Sequence, residues 1–259
     1  MNGVALVTGG SSGIGAATVK AFLAKGVRRV VIADVSPLDE SISAWQAEFA
    51  DAQLLAVKTD VAVEAEVTAL IAAAVEKFGR IDYAVNCAGV SGGGAFAEFS
   101  TETWDRTTGV NERGVFFCMR EQLKVMADQD FGEAKDERRK QRGAIVSVAS
   151  LCGQVAIPQS AAYIASKHAV IGLAKSATLE YAGKGIRVNC VAPGWIDTNM
   201  TNTARAKVIY DWGTKPDRTP MGRGGIPEEI ADVIVFLCSE EASFVTGATW
   251  NIDGGYMCF

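Results

Sequence analysis

The sequence predicts an α/β protein: seven parallel strands in one doubly wound sheet, with helices on both faces. Two observations carry this. Short β-branched or apolar runs alternate with longer helical patterns along the whole chain, and a glycine-rich turn joins the first run to the first helix. Strands separated by helices imply βαβ units and right-handed crossovers.

The candidate strands are Val4–Thr8, Val30–Asp34, Leu54–Lys58, Ile81–Asn86, Ala144–Ala149, Arg187–Ala192 and Thr249–Ile252. Read as buried on both faces, they suit the interior of a parallel sheet. Between them, Ile14, Ala17, Thr18, Ala21 and Phe22 repeat with the period of a helix that buries one stripe. Val67, Leu70, Ile71, Ala74 and Val75 do the same, and Ile230, Val233, Ile234 and Leu237 mark a third such helix. Two segments break the rhythm. Asp128–Gly143 is charged and reads as a surface loop, with Arg138, Arg139, Lys140 and Arg142 solvated among acids. Thr198–Gly225 is long and mixed, and its Tyr210 and Trp212 favour a substrate lid.

Composition narrows the function. Of 259 residues, 49% are hydrophobic and 21% charged, enough apolar content for a full core. The net charge of −5 argues against a nucleic-acid partner, which needs clustered cations. No stretch approaches the ~18 apolar residues of a membrane span. The start shows no basic segment of a secretory signal, so a soluble cytoplasmic protein is expected. Six scattered cysteines without a C-x-x-C pair read as small core residues, and Cys152 could be core or pocket. His168 is the only histidine, which excludes a His-dependent triad and a multi-histidine metal site. No metal is expected.

After the first strand come Gly9, Ser11, Ser12, Gly13, Ile14 and Gly15, then a helix. Such a turn brings backbone close to a pyrophosphate, and the helix start supplies unpaired N–H groups. The spacing G-x-x-x-G-x-G differs from the G-x-G-x-x-G fingerprint, so context must carry the argument. Asp34 closes the second strand 19 residues past Gly15, near the ~20 expected for a carboxylate that binds ribose hydroxyls. A carboxylate there repels a 2′-phosphate. Ser12 offers no cation to neutralise one, and Arg28 and Arg29 lie at the far end of the strand. NAD is therefore expected, with NADP disfavoured.

Tyr163 and Lys167 sit four residues apart in a helical stretch, Ala161–Ala182, so they share one face. A phenol titrates near ~10, and lowering it by two to three units takes roughly 3–4 kcal/mol, within reach of a close ammonium plus nicotinamide charge. His168, about 100° around the helix, reads as structural. Ser150 ends the fifth strand, and Asn86-Cys87-Ala88-Gly89 ends the fourth at the same edge, where open α/β sheets bind ligands. Asn111 follows in the next helix.

On these residues the chain resembles the NAD(P)-dependent short-chain dehydrogenase/reductase family over nearly its whole length. The glycine turn, Asn86-Cys87-Ala88-Gly89, Ser150 with Tyr163-x-x-x-Lys167, and Pro193-Gly194-x-x-x-Thr198 match its motifs. The departures are Cys87 and the long Asp128–Gly143 loop. The resemblance implies a single Rossmann-like domain over 1–259, with 198–225 as the lid. It implies Tyr163 as general acid/base, Ser150 positioning the reacting oxygen, Lys167 lowering the Tyr163 pKa while holding the nicotinamide ribose, and Asn111 in a proton path. It also implies cofactor contacts at Val35, at Asp60 and Val61 for adenine, at Asn86, Ala88 and Gly89, and at Pro193, Gly194, Ile196 and Thr198 by the carboxamide. A secondary alcohol or ketone is the expected substrate, fairly apolar, with Leu151, Val155 and Trp195 as candidate pocket residues. A homodimer or homotetramer is expected. Two rivals keep the fold: an isomerase or dehydratase using held NAD, and a non-catalytic NAD-binding regulator.

Overall fold

The computed structural model describes residues 1–202 and 219–258. Within them lies one seven-stranded sheet, all parallel, in the order β3-β2-β1-β4-β5-β6-β7. The strands are β1 (Val4–Thr8), β2 (Arg29–Asp34), β3 (Gln53–Lys58), β4 (Tyr83–Asn86), β5 (Gly143–Val148), β6 (Ile186–Pro193) and β7 (Thr249–Ile252). Each predicted strand is present, with ends shifted by two residues at most.

The chain moves outward from β1 to β3, then returns to β4 on the other side of β1. That reversal leaves a crevice above the carboxyl ends of β1 and β4, since the flanking crossovers run over opposite faces. Helices α1 (Gly13–Ala24), α2 (Asp39–Glu48) and α7 (Pro227–Cys238) cover one face. The other carries α3 (Glu64–Phe78), α5 (Val115–Asp128) and α6 (Ala161–Tyr181). Alternation along β1 divides the two cores: Ala5 and Val7 face the first group, Val4 and Leu6 the second.

Burial on both faces holds for β1, β4, β5 and β6. It fails for β3 and β7, which are half-exposed because each has a neighbour on one side only. In α1 the deepest residues are Thr18, Val19, Phe22 and Leu23, so the buried stripe lies slightly around the helix from the predicted one.

Helix α4 (Thr101–Thr108) runs into α5 through a π-helical turn, Gly109–Gly114. The wide turn re-phases the helix. The loop Asp128–Gly143 lies between α5 and β5 as expected, with solvated Arg138 paired to Asp136 and Lys140 paired to Glu137. Arg142 departs from the expectation: it donates to the carbonyls of Ala127 and Gln129 and lies 4.6 Å from the Phe131 ring centre. Backbone carbonyls at the end of α5 need that donor more than water does.

Of the expected lid, 198–202 and 219–225 are described; Tyr210, Trp212 and Pro216 lie outside the described residues. The two flanks are clasped, with Asp197 N–H donating to Gly225 O and Gly225 N–H to Trp195 O, both at 2.9 Å. No described helix is long and apolar enough to cross a membrane.

Candidate active site

The glycine turn is shaped by contact. Gly9 has φ +69°, and a Cβ there would fall 2.7 Å from Ala88 N. A Cβ on Gly15 would collide with the Gly9 carbonyl oxygen. Larger residues would push the turn off β4 and off its own helix. Thr8 Oγ1 ties the two strand exits together by accepting from the N–H groups of Cys87 (3.2 Å) and Ala88 (3.3 Å).

Asp34 ends β2 beside this turn. Its carboxylate accepts from Ser11 N–H and Ser36 N–H, both at 3.0 Å, which fixes its direction toward the crevice.

The crevice has a volume of about 540 Å³, within the usual range for a small-molecule site. Its walls bring together most of the expected residues. Gly9, Ser11, Ser12, Gly13, Ile14 and Gly15 form one wall, with Asp34, Val35, Asp60 and Val61 at the exits of β2 and β3. Ala88 and Gly89 follow β4, and Pro193, Gly194, Ile196 and Thr198 follow β6. Ser150, Tyr163 and Lys167 stand in the same cleft.

Ser150 accepts from Cys152 N–H at 3.1 Å and hydrogen-bonds the Tyr163 side chain. Lys167 is buried, and its Nζ donates to Val148 O at 2.7 Å, 5.6 Å from the Tyr163 ring centre. Burial lowers the Lys167 ammonium to about 8. The expected depression of the phenol is absent from the protein's own charges. Desolvation pushes Tyr163 above its ordinary value, and only the Ser150 bond acts the other way. The cause is geometric: the ammonium faces a strand carbonyl, and the site that holds both groups penalises either charge.

Two expected residues lie behind the wall. Asn86 is buried and pairs its amide with Gln122, donating at 3.2 Å and accepting at 2.8 Å. It braces β4 against α5, and its side chain does not line the cleft. Asn111 sits in the π-helical turn, accepting from Val90 N–H and donating to Val90 O, both at 2.8 Å. It borders the site, because a Cβ on Gly89 would sit 3.4 Å from Asn111 Oδ1 and 3.8 Å from Lys167 Nζ. Of the candidate pocket residues, Leu151 and Val155 are absent from the described walls, and Trp195 lines a separate 80 Å³ cavity behind the clasp. Cys152 is buried core, while Cys87 lines the cleft with its thiol pushed up to about 12 by burial. His168 is exposed and bonded to Ile164 O.

Sequence reasoning missed Arg106 and Val110, which also line the cleft. Their i, i+4 spacing was a signal, but only the π-helical turn shows which way that face points.

Comparison with known proteins agrees with this geometry. A family model described as enoyl-(acyl carrier protein) reductase matches residues 9–257. The short-chain dehydrogenase fogB of Aspergillus ruber is 39% identical, over 98% of this chain and 97% of that protein. The chain belongs to the short-chain dehydrogenase/reductase family. Another relative in this family, 2-(R)-hydroxypropyl-CoM dehydrogenase of Xanthobacter autotrophicus, is 39% identical and covered to 99%, as is this chain. The crystal structure of levodione reductase superposes with a TM-score of 0.86 at 35% identity, covering 97% of this chain and 96% of that one. The protein is therefore an oxidoreductase of a family that uses nicotinamide dinucleotides.

The residues present fit such a cofactor. Glycines whose Cβ positions are filled by backbone let phosphates approach the start of α1, and a carboxylate held by two N–H groups stands where ribose hydroxyls would lie.

Proposed function

We propose that this protein interconverts a secondary alcohol and a ketone with NAD(H). One observation carries the reading: Ser150, Tyr163 and Lys167 share a cleft with the glycine turn and Asp34. Bound nicotinamide would accept or give the hydride. The protein moves the proton and holds the reacting oxygen.

In the oxidative direction Tyr163 accepts the hydroxyl proton as hydride leaves the carbinol carbon, so the substrate loses two electrons and two protons, one of the protons carried within the hydride. Ser150, whose hydroxyl also bonds Tyr163, positions the same oxygen, and Cys152 N–H holds one of its two lone pairs. Lys167 spends one N–H on Val148 O, leaving two for ribose hydroxyls. The phenol is too weak an acid in the protein alone, so cationic charge arriving beside it must supply the depression. A positively charged nicotinamide brings that charge in the oxidative direction only. Asn111 holds the loop at Val90 and borders Lys167, consistent with a path for protons to solvent.

Asp34 supports NAD over NADP, because its carboxylate repels a 2′-phosphate and no cation pairs with it among the described residues. Val90 and Met200 give the cleft apolar surface suited to a fairly apolar ketone.

The deciding experiment follows NADH formation over a panel of cyclic, aromatic and aliphatic alcohols, with Tyr163→Phe as the control. The wild type accumulates NADH, and the variant loses about 10²–10⁴ in rate while keeping NADH affinity. Substrate conversion without net NADH would instead mark an isomerase or dehydratase. A variant with undiminished rate would remove Tyr163 from the mechanism.

A further inference from the structure

Arg106 is a cation with no acid. Glu102 lies one turn before it and Asp105 beside it, yet among the described residues no carboxylate is within ion-pair distance of its guanidinium. It turns instead to the cleft rim, where Nη2 donates to Ser91 O at 3.1 Å. Apart from buried Lys167, it is the one cation among the described residues lining the cleft.

Its position is set by α4. Arg106 and Val110 are four residues apart and both line the cleft. Val110 packs with Val61 and Ala88 in a small apolar cluster. The π-helical turn presses against the β3 exit, since a Cβ on Gly114 would fall 2.8 Å from Val61 Cγ2. Val61, Ala88 and Val110 thus give the cleft an apolar part, a slot whose surroundings in the same cleft include Asp60 and Arg106. Ser150 belongs to the far end of the cleft: β5 lies four strand intervals from β3, roughly 19 Å at about 4.8 Å each.

We propose that Arg106 closes this slot over the adenine ring of the cofactor, its planar guanidinium against the ring face. A slot with apolar walls takes a flat aromatic group, and guanidinium is the cation that stacks on one. The bond to Ser91 O fixes one edge of the guanidinium and leaves its face free. The anionic alternatives fit less well. The start of α1 already serves a pyrophosphate from the opposite wall, and an acid on the substrate would belong near Ser150.

The inference rests on the dinucleotide reading above, and fragments separate the two. Wild type, Arg106→Ala and Arg106→Lys are titrated with AMP, adenosine and nicotinamide mononucleotide, each competing against NADH fluorescence. In Arg106→Ala, AMP and adenosine weaken by about three- to tenfold and nicotinamide mononucleotide is unchanged. Arg106→Lys keeps the charge without the plane and recovers less than half of the loss. Equal affinities in wild type and Arg106→Ala overturn the proposal. So does a loss for AMP without one for adenosine, which would mean a phosphate contact. A uniform loss across all three fragments also overturns it, assigning Arg106 to the Ser91 loop alone. A wild type that binds neither NADH nor any fragment overturns the dinucleotide reading itself.

Discussion

Two buried cations mark opposite edges of the sheet, and they are treated differently. At the amino edge, Arg187 on β6 is 6% exposed and donates to five acceptors: the carbonyls of Leu237, Cys238, Ser239 and Val245, and Gln141 Oε1. At the carboxyl edge, Lys167 is 4% exposed and, among the described residues, donates to one, Val148 O. A guanidinium whose N–H groups are all engaged caps the end of α7 and fastens it to β6. An ammonium with two idle donors in a cleft is costly to the fold and therefore points to a ligand. Neither edge can be judged by burial alone. The count of partners separates structure from chemistry.

The comparison breaks first at Lys167. Lys167→Met should lower turnover by about 10²–10³-fold, since on the proposed mechanism it removes both the ribose donors and the cation beside the phenol. Its folding stability at neutral pH should be unchanged or higher, because a penalised charge is gone. The sign with pH follows. The unfolded lysine keeps its proton to about 10.4, whereas the folded one releases it near 8. Between those values the unfolded chain binds more protons, so wild-type stability rises with pH there. The Met variant should lack that rise. Thermal melts of both proteins from pH 7 to 10 check it, and parallel curves would show that Lys167 is not held at a lowered pKa.

Arg187→Met is the mirror case. It leaves four carbonyls without their donor in a dry corner, at a cost of roughly 3–5 kcal/mol, read from urea unfolding. The kinetic constants of the folded fraction should not change. A large fall in kcat at full stability would mean that the amino edge takes part in the chemistry.

Asp34→Ala tests the adenosine end of the carboxyl edge. Losing a carboxylate that two backbone N–H groups orient should reduce the NADH-over-NADPH ratio in kcat/KM by about 10–100-fold. A ratio that stays constant would place cofactor choice elsewhere.

Much of the carboxyl edge was legible in the sequence because local chain geometry dictates it. The glycine turn needs its glycines wherever it occurs, and Tyr163 and Lys167 share a face through helix pitch alone. Strand ends located Ser150 and Asp34. What failed depended on partners far away in the chain. Asn86 could be read as a cofactor contact until α5 brought Gln122 to it from 36 residues on. Arg142 looked solvated until it met the carbonyls at the end of α5, and Arg187 carried no signal at all. The Gly109–Gly114 turn has a period that no 3.6-residue pattern reveals, so the spacing of Arg106 and Val110 did not show that their shared face points into the cleft. The phenol's acidity was the subtlest case: spacing placed the cation on the right face, but not the direction of its N–H groups.

The smallest effect belongs to Thr107, in α4 above the β4-exit loop. Its hydroxyl is buried with no hydrogen-bond partner among the described residues, packed against Gly92, where a Cβ would collide with it. Arg106 and Asn111 hold that same loop, Arg106 by one hydrogen bond at Ser91 and Asn111 by two at Val90. Thr107 therefore contributes shape, with an unpaired polar group as the penalty. Thr107→Val keeps the shape and removes the group, so stability should rise by about 1 kcal/mol with kinetics unchanged. If Val at this position instead destabilises the fold or raises KM, the hydroxyl has a partner in the working enzyme, and the loop after β4 is held by three polar side chains rather than two.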